Sequence, residues 1–145
     1  MTIILGLSSY YHDAAAAIVK DGKIIAAAAE ERFSRKKHDY GFPTNAINFC
    51  LKEAGVAGNQ LDYVIFHEKP FVKFERLMTT ILETYPESYT VFRESMLSWM
   101  KEKLWVKTTI MDRLGIKSEK KILFGDHHLS HGASAFFCSP FKEAT

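Results

Sequence analysis

The chain has 145 residues, 47% apolar and 25% charged, a composition that fits a globular domain and excludes disordered and collagen-like classes. Lys and Arg number 19 against 17 Asp and Glu, so the net charge of +2 marks neither a nucleic-acid nor a membrane partner. A chain of this length buries roughly 68–70% of its unfolded surface, enough for one core without disulfide or metal staples.

The first run, Ile3 to Ser9, is short, apolar and rich in β-formers, and is expected to be a buried strand. It is too short for a signal-peptide core or a membrane span, and no basic residue precedes it, so a cytoplasmic location is the simplest expectation. From Asp13 to Glu30 the chain reads DAAAAIVKDGKIIAAAAE, nearly symmetric about Asp21-Gly22, the pair favoured in a two-residue type I′ hairpin turn. Alanine favours a helix here, but Gly22 would break that helix at its middle, so a hairpin is expected. Its register would set Lys20 against Lys23, Val19 against Ile24, Ala17 against Ala26 and His12 against Glu31. Alanine on both faces requires a closely packed neighbour.

Glu31 to Asp39 (ERFSRKKHD) has no periodicity and reads as a basic loop. Pro43 then opens a helix whose apolar positions are Ala46, Ile47, Cys50, Leu51 and Ala54, closed by Gly55. Leu61 to His67 returns to strand character. Two amphipathic helices follow, one carrying Phe71, Phe74, Leu77, Met78, Ile81 and Leu82, the other Tyr89, Phe92, Met96, Met100 and Leu104, with Pro86 between them. Both stripes read most simply as core, with a lid or a partner-binding face as the alternative. A further helix ends near Gly115, Lys121 to Gly125 reads as a strand, and His127 to Cys138 as a helix stopped by Pro140. The order βββαβααα(βα) predicts an α/β fold with a mixed sheet and flanking helices. Cys50 and Cys138 sit among apolar neighbours and are expected to be buried thiols.

Three groups could carry chemistry. Asp126-His127-His128-Leu129-Ser130-His131-Gly132 follows a predicted strand, where α/β sites usually lie. In a helix, His127 and His131 project from one face and suit one metal ion, while His128 points about 100° away. Asp126 can cap that helix or orient an imidazole. Two histidines are fewer than the three or four protein ligands zinc takes, so further ligands must come from elsewhere. His12, at the mouth of the hairpin, has the chemistry of a general base near neutral pH, and equally fits a strand-end histidine beside a carboxylate with no chemistry. Arg32, Arg35, Lys36, Lys37 and His38 form a possible grip for an anionic group, with a solvated loop as the plainer alternative. No Walker-type glycine loop occurs.

Three blocks taken together, ILGLSSYYHDAAAAIVKDGKIIAAAAEERFSRKKHDYGFP, AINFCLKEAG and GDHHLSHGASAFFCSPF, resemble the N-terminal part of the O-carbamoyltransferases, which modify nodulation factors, cephamycins and aminoglycosides. The resemblance runs nearly end to end. It implies a ribonuclease-H-like lobe of the actin-like ATPase superfamily, shared with sugar kinases and tRNA threonylcarbamoyl transferases. It further implies that another domain makes carbamoyl-adenylate from carbamoyl phosphate and ATP. The metal-containing domain, of which residues 1–145 are the expected first lobe, then transfers the carbamoyl group to a hydroxyl. On that resemblance His127 and His131 are metal ligands, with iron the expected ion and zinc the alternative. His12 stands at the substrate hydroxyl, and Lys37 near the transferred group. Ser8-Ser9 stands where sugar kinases carry an Asp-x-Gly loop, which argues against simple sugar phosphorylation. The expected partners are a small hydroxylated acceptor and the remainder of the carbamoyltransferase, with no membrane and no nucleic acid. The alternatives are a non-catalytic metal- or partner-binding fragment and a tRNA threonylcarbamoyl-transferase-like protein.

Overall fold

The computed structural model describes residues 1–11 and 13–143. Strand β1 (Ile3–Ser8) lies at the centre of a five-stranded sheet of order β3-β2-β1-β4-β5. Its alternate residues Ile3, Leu5 and Leu7 are buried, the period-2 burial of a strand with one face on a core. The hairpin of β2 (Ala15–Lys20) and β3 (Lys23–Ala29) extends the sheet antiparallel on one side. On the other side β4 (Tyr63–Phe66) and β5 (Ile122–Phe124) continue it in parallel. The result is the expected α/β fold, a mixed sheet with flanking helices. Among the described residues no helix is long and apolar enough to cross a membrane.

Asp21 and Gly22 both take positive φ, at 49° and 78°, so the hairpin turns as its sequence predicts. The register does not hold. Lys20 faces Lys23 and Val19 faces Ile24, but Ile18 faces Ala26 and Ala17 faces Ala27, because Ile25 is bulged out of the ladder. Helix α2 (Thr44–Ala54) explains the slip: its Cys50 Sγ comes within 3.4 Å of the Ala16 carbonyl and 3.8 Å of the Ala26 carbonyl. In an unbroken ladder the position opposite buried Ile18 would be Ile25, and a helix packed this closely has room only for alanine. The expected pairing of His12 with Glu31 lies outside the described residues.

The stretch expected as a basic loop begins with one helical turn, α1 (Glu31–Ser34). Pro43 stands just before α2 rather than in its first turn, and the helix start is capped from outside. The buried Glu30 carboxylate accepts the Ala46 N–H at 2.8 Å, the Asn45 N–H at 3.1 Å and the Asn45 side-chain amide at 2.6 Å. Helix α5 (Val106–Leu114) adds Val106, Ile110 and Leu114 to the same core as Ile47, Cys50, Leu61 and Val64.

The two amphipathic helices form as α3 (Pro70–Glu83) and α4 (Tyr89–Lys101), but their stripes are not core. Ile81 and Trp99 are buried, and the Phe74 and Trp99 rings meet with centroids 5.5 Å apart. Phe71 and Leu82, by contrast, are 64% and 72% exposed. The helices pack on each other with one side each, which leaves the remaining apolar positions in solvent. The thiols divide likewise: Cys50 is buried, while Cys138 is exposed, beyond the end of the last helix, α6 (His127–Phe136).

Candidate functional site

Parallel pairing of β1, β4 and β5 brings their carboxyl ends to one edge of the sheet, the usual place for a site in an α/β fold. His67 and Glu68 follow β4; Gly125, Asp126 and His127 follow β5. The Gly125 N–H donates to the Phe66 carbonyl at 2.8 Å, extending the ladder up to α6. Asp126 caps that helix by accepting the His128 N–H at 3.2 Å. The Ser130 hydroxyl lies 3.1 Å from the His67 carbonyl oxygen and 2.9 Å from that of Asp126, and shares its one proton between them. A Cβ at residue 125 would stand 3.1 Å from that hydroxyl, so a larger residue there would require the Ser130 side chain to give by a few tenths of an ångström.

Within this frame His127 Nε2 lies 3.2 Å from His131 Nε2, the rings edge to face with centroids 4.7 Å apart. Two imidazole nitrogens on one tetrahedral ion, with bonds of 2.0–2.1 Å, sit about 3.3 Å apart. The pair therefore has the spacing to hold one cation. The Nδ1 atoms of His127 and His67 are both buried without a hydrogen-bond partner. His67 is a third imidazole at the same place, its ring 5.8 Å from that of His127. One donor atom each from His67, Glu68 and His127 lie within 4.8 Å of one another. Ser8, Tyr11, Asp13 and Ser130 complete a cleft of about 520 Å³ around His67, His127 and His131.

Burial first, then the neighbouring His127 and His131, push the His67 imidazole down to about 4, against the opposing pull of a backbone hydrogen bond with Leu7. His127 is lowered by burial and by His131, Lys73 and His128, with Asp126 acting the other way. Both imidazoles are thus held neutral, the form that binds a metal. Glu68 accepts from Lys73 Nζ at 3.3 Å, and Lys73 Nζ also sits 3.0 Å from the centroid of the Tyr11 ring. Burial raises Glu68 and, joined by Lys103 and Arg76, lowers Lys73 to about 8. Desolvation thus favours the neutral forms on both sides of a contact that either pair of forms can make.

The structure brings together His127 and His131 as the helical spacing predicts, and turns His128 into a neighbouring cleft with Lys69, Lys73 and Arg76. His12 lies outside the described residues; its chain neighbours Tyr11 and Asp13 line the histidine cleft. Lys37 is exposed and, among the described residues, is not part of the cleft lining. Its loop is nevertheless fastened to the site: His38 Nδ1 pairs with Asp13 Oδ1 at 3.0 Å, and the Tyr10 and Ala14 N–H groups donate to the Tyr40 and Asp39 carbonyls at 2.6 and 2.7 Å. Sequence reasoning missed His67 and Glu68. The available signal was a His-Glu pair at the carboxyl end of a predicted strand, next to the strand that leads into the histidine helix.

Residues 3–145 match the family described as carbamoyltransferase N-terminus. This chain belongs to that family. It is 53% identical to an uncharacterised protein of Synechocystis, sll1178, over 99% of this chain and 24% of that protein. It is 32% identical to nodulation protein NolNO of Sinorhizobium fredii over 94% of this chain and 19% of that protein. The chain therefore spans about a quarter or less of the length of these family relatives. YeaZ from Pseudomonas aeruginosa is similar over 48% of this chain and 31% of its own, at a TM-score of 0.36 and 19% identity, an overlap too partial to carry weight.

Proposed function

We propose that this chain is the metal-holding lobe of an O-carbamoyltransferase that passes a carbamoyl group from carbamoyl-adenylate, formed from carbamoyl phosphate and ATP, to a hydroxyl of a natural product or sugar. The observation that carries the reading is the His127–His131 pair, 3.2 Å apart at the carboxyl edge of the parallel strands, in a chain of this family. His127 and His131 would hold the ion, iron first and zinc second, through Nε2. Such an ion supplies Lewis acidity beside the acyl phosphate. Asp13 anchors His38, and with it the loop that carries Lys37 as an ammonium for the anionic donor. His12 accepts the proton as the acceptor oxygen bonds to the carbamoyl carbon and the bond to the adenylate oxygen breaks.

The test combines this chain with the remainder of a family member, the rest of the transfer domain and the adenylate-forming domain together, with carbamoyl phosphate, ATP and hydroxylated acceptors, and follows carbamoylated product by mass spectrometry. The reading expects product from the wild type and its loss in His12→Asn and in His127→Ala. Undiminished product in both variants, or none from the wild type, refutes it. Preferential modification of tRNA would move the activity to the threonylcarbamoyl type.

A further inference from the structure

Beside the histidine cleft lies a second one, of about 440 Å³, that the transfer reading leaves unused. We propose that Lys69, Lys73 and Arg76 of this cleft bind an anionic group, a phosphate or a carboxylate, carried by the hydroxylated acceptor. The inference rests on the transfer reading above and adds to it the charge of the acceptor.

The cations come from one side of one helix. Lys69, Val72, Lys73, Arg76, Leu77 and Thr80 line the cleft, and their spacing of three and four residues is that of a single face of α3. His128 faces them from the start of α6. Lys69 stands at the cap position of α3 and makes no side-chain capping bond, so the positive pole of the helix adds to the cluster.

Acidic groups do not balance these charges. Glu68 pairs with Lys73 at 3.3 Å, and Asp126 is engaged as the cap of α6. Among the described residues neither Lys69 nor Arg76 has an ion-pair partner. Arg76 and Lys103 both press their charge on the Lys73 ammonium, and like charges crowded along a cleft favour an anion between them. The Arg76 guanidinium offers paired N–H donors to an oxyanion, while the two ammonium groups act as point charges. Val72 and Leu77 supply apolar wall for the body of a small ring.

Position assigns the anion to the acceptor. His127 is a wall of both clefts, and Lys73 Nζ sits 3.0 Å from the centroid of the Tyr11 ring, which lines the histidine cleft. A molecule anchored here by its anion extends its hydroxyls past His127 toward the histidine pair. The donor's phosphate is served in that reading by the ion and by Lys37, and neither Lys69 nor Arg76 lines the histidine cleft.

The experiment is a calorimetric titration of the chain at low salt with glucose 6-phosphate and with glucuronate. Glucose is the neutral control, AMP stands for the donor's phosphate, and the histidine ring signals in NMR spectra locate the bound anion. Glucose 6-phosphate, glucuronate or both should bind and shift the His127 and His128 signals, and glucose should do neither. Lys69→Gln combined with Arg76→Gln should weaken that binding at least tenfold. Both side chains are exposed, so the variant should keep its fold, which circular dichroism checks; Arg76→Gln alone serves if it does not. No binding of either anion by the wild type, equal affinity in the folded variant, or binding that leaves His128 unmoved would overturn the inference. Tighter binding of AMP, lost in the same variant, would give the cleft to the donor and overturn it too. Binding as expected, by a chain whose reassembled enzyme makes no carbamoylated product, would leave the anion site standing and refute the transfer reading alone.

Discussion

The Ser130 hydroxyl lies 3.1 Å from the main-chain carbonyl of His67, 63 positions away in the chain, and this contact fastens the histidine helix to the neighbouring strand. The same hydroxyl reaches the Asp126 carbonyl at 2.9 Å, within its own helix. Ser130→Ala removes both contacts, but within the helix the Ser130 N–H still donates to the Asp126 carbonyl at 2.8 Å, so the loss that matters is the link to His67. It should cost about 1 kcal/mol of stability and weaken metal affinity by roughly tenfold, since partners that orient ligands typically affect affinity on that scale. Denaturant melts and a cobalt titration check both values; an unchanged affinity would show that α6 holds its place without Ser130.

Glu30 is buried at the end of β3 and offers both carboxylate oxygens to the start of α2. Glu30→Ala strands the N–H groups of Asn45 and Ala46 and should lower unfolding free energy by about 2 kcal/mol. The midpoint of urea unfolding measures this. A loss no larger than that of a surface substitution would mean that water replaces the carboxylate at no cost.

Burial raises the Cys50 thiol, with a backbone hydrogen bond from Ala28 opposing. The folded chain therefore binds this proton more tightly than the unfolded chain does. Its contribution to stability is full below the unfolded thiol value of about 8.5 and is lost as pH rises through the raised folded value. Between those two values stability should fall more steeply with pH in the wild type than in Cys50→Ala, whatever the offset between them. In the native state maleimide should label Cys138, which is exposed, and leave Cys50 unmodified.

At Gly58 an added Cβ would lie 2.5 Å from the Leu114 carbonyl oxygen, a main-chain atom that can yield only if the end of α5 moves. Gly58→Ala should destabilise by about 2 kcal/mol, in the range of overpacked cores. Thermal unfolding against the wild type is sufficient to see it, and a neutral result would place the flexibility in the Ala57–Gln60 turn.

Local patterns in the sequence were enough for the elements themselves. Asp21-Gly22 specifies a turn by its tolerance of positive φ; Gly55 and Asp126 end and begin helices by their own backbone and side-chain chemistry. The spacing of His127 and His131 places them on one helix face before any tertiary contact exists. These are properties of residues within a few positions of one another, and family likeness could be read from the same blocks.

What the sequence left open depends on which element comes to lie against which. The bulge at Ile25 follows from how closely α2 approaches the hairpin, so a register argued from the turn alone runs one residue out. The apolar stripes of α3 and α4 demanded cover, but periodicity does not say whether cover comes from the sheet, from the other helix or from nothing in this chain. His67 stands beside His127 only because β4 and β5 pair in parallel and end together. The third imidazole is a consequence of strand order, and strand order is settled by long-range packing that no local spacing encodes.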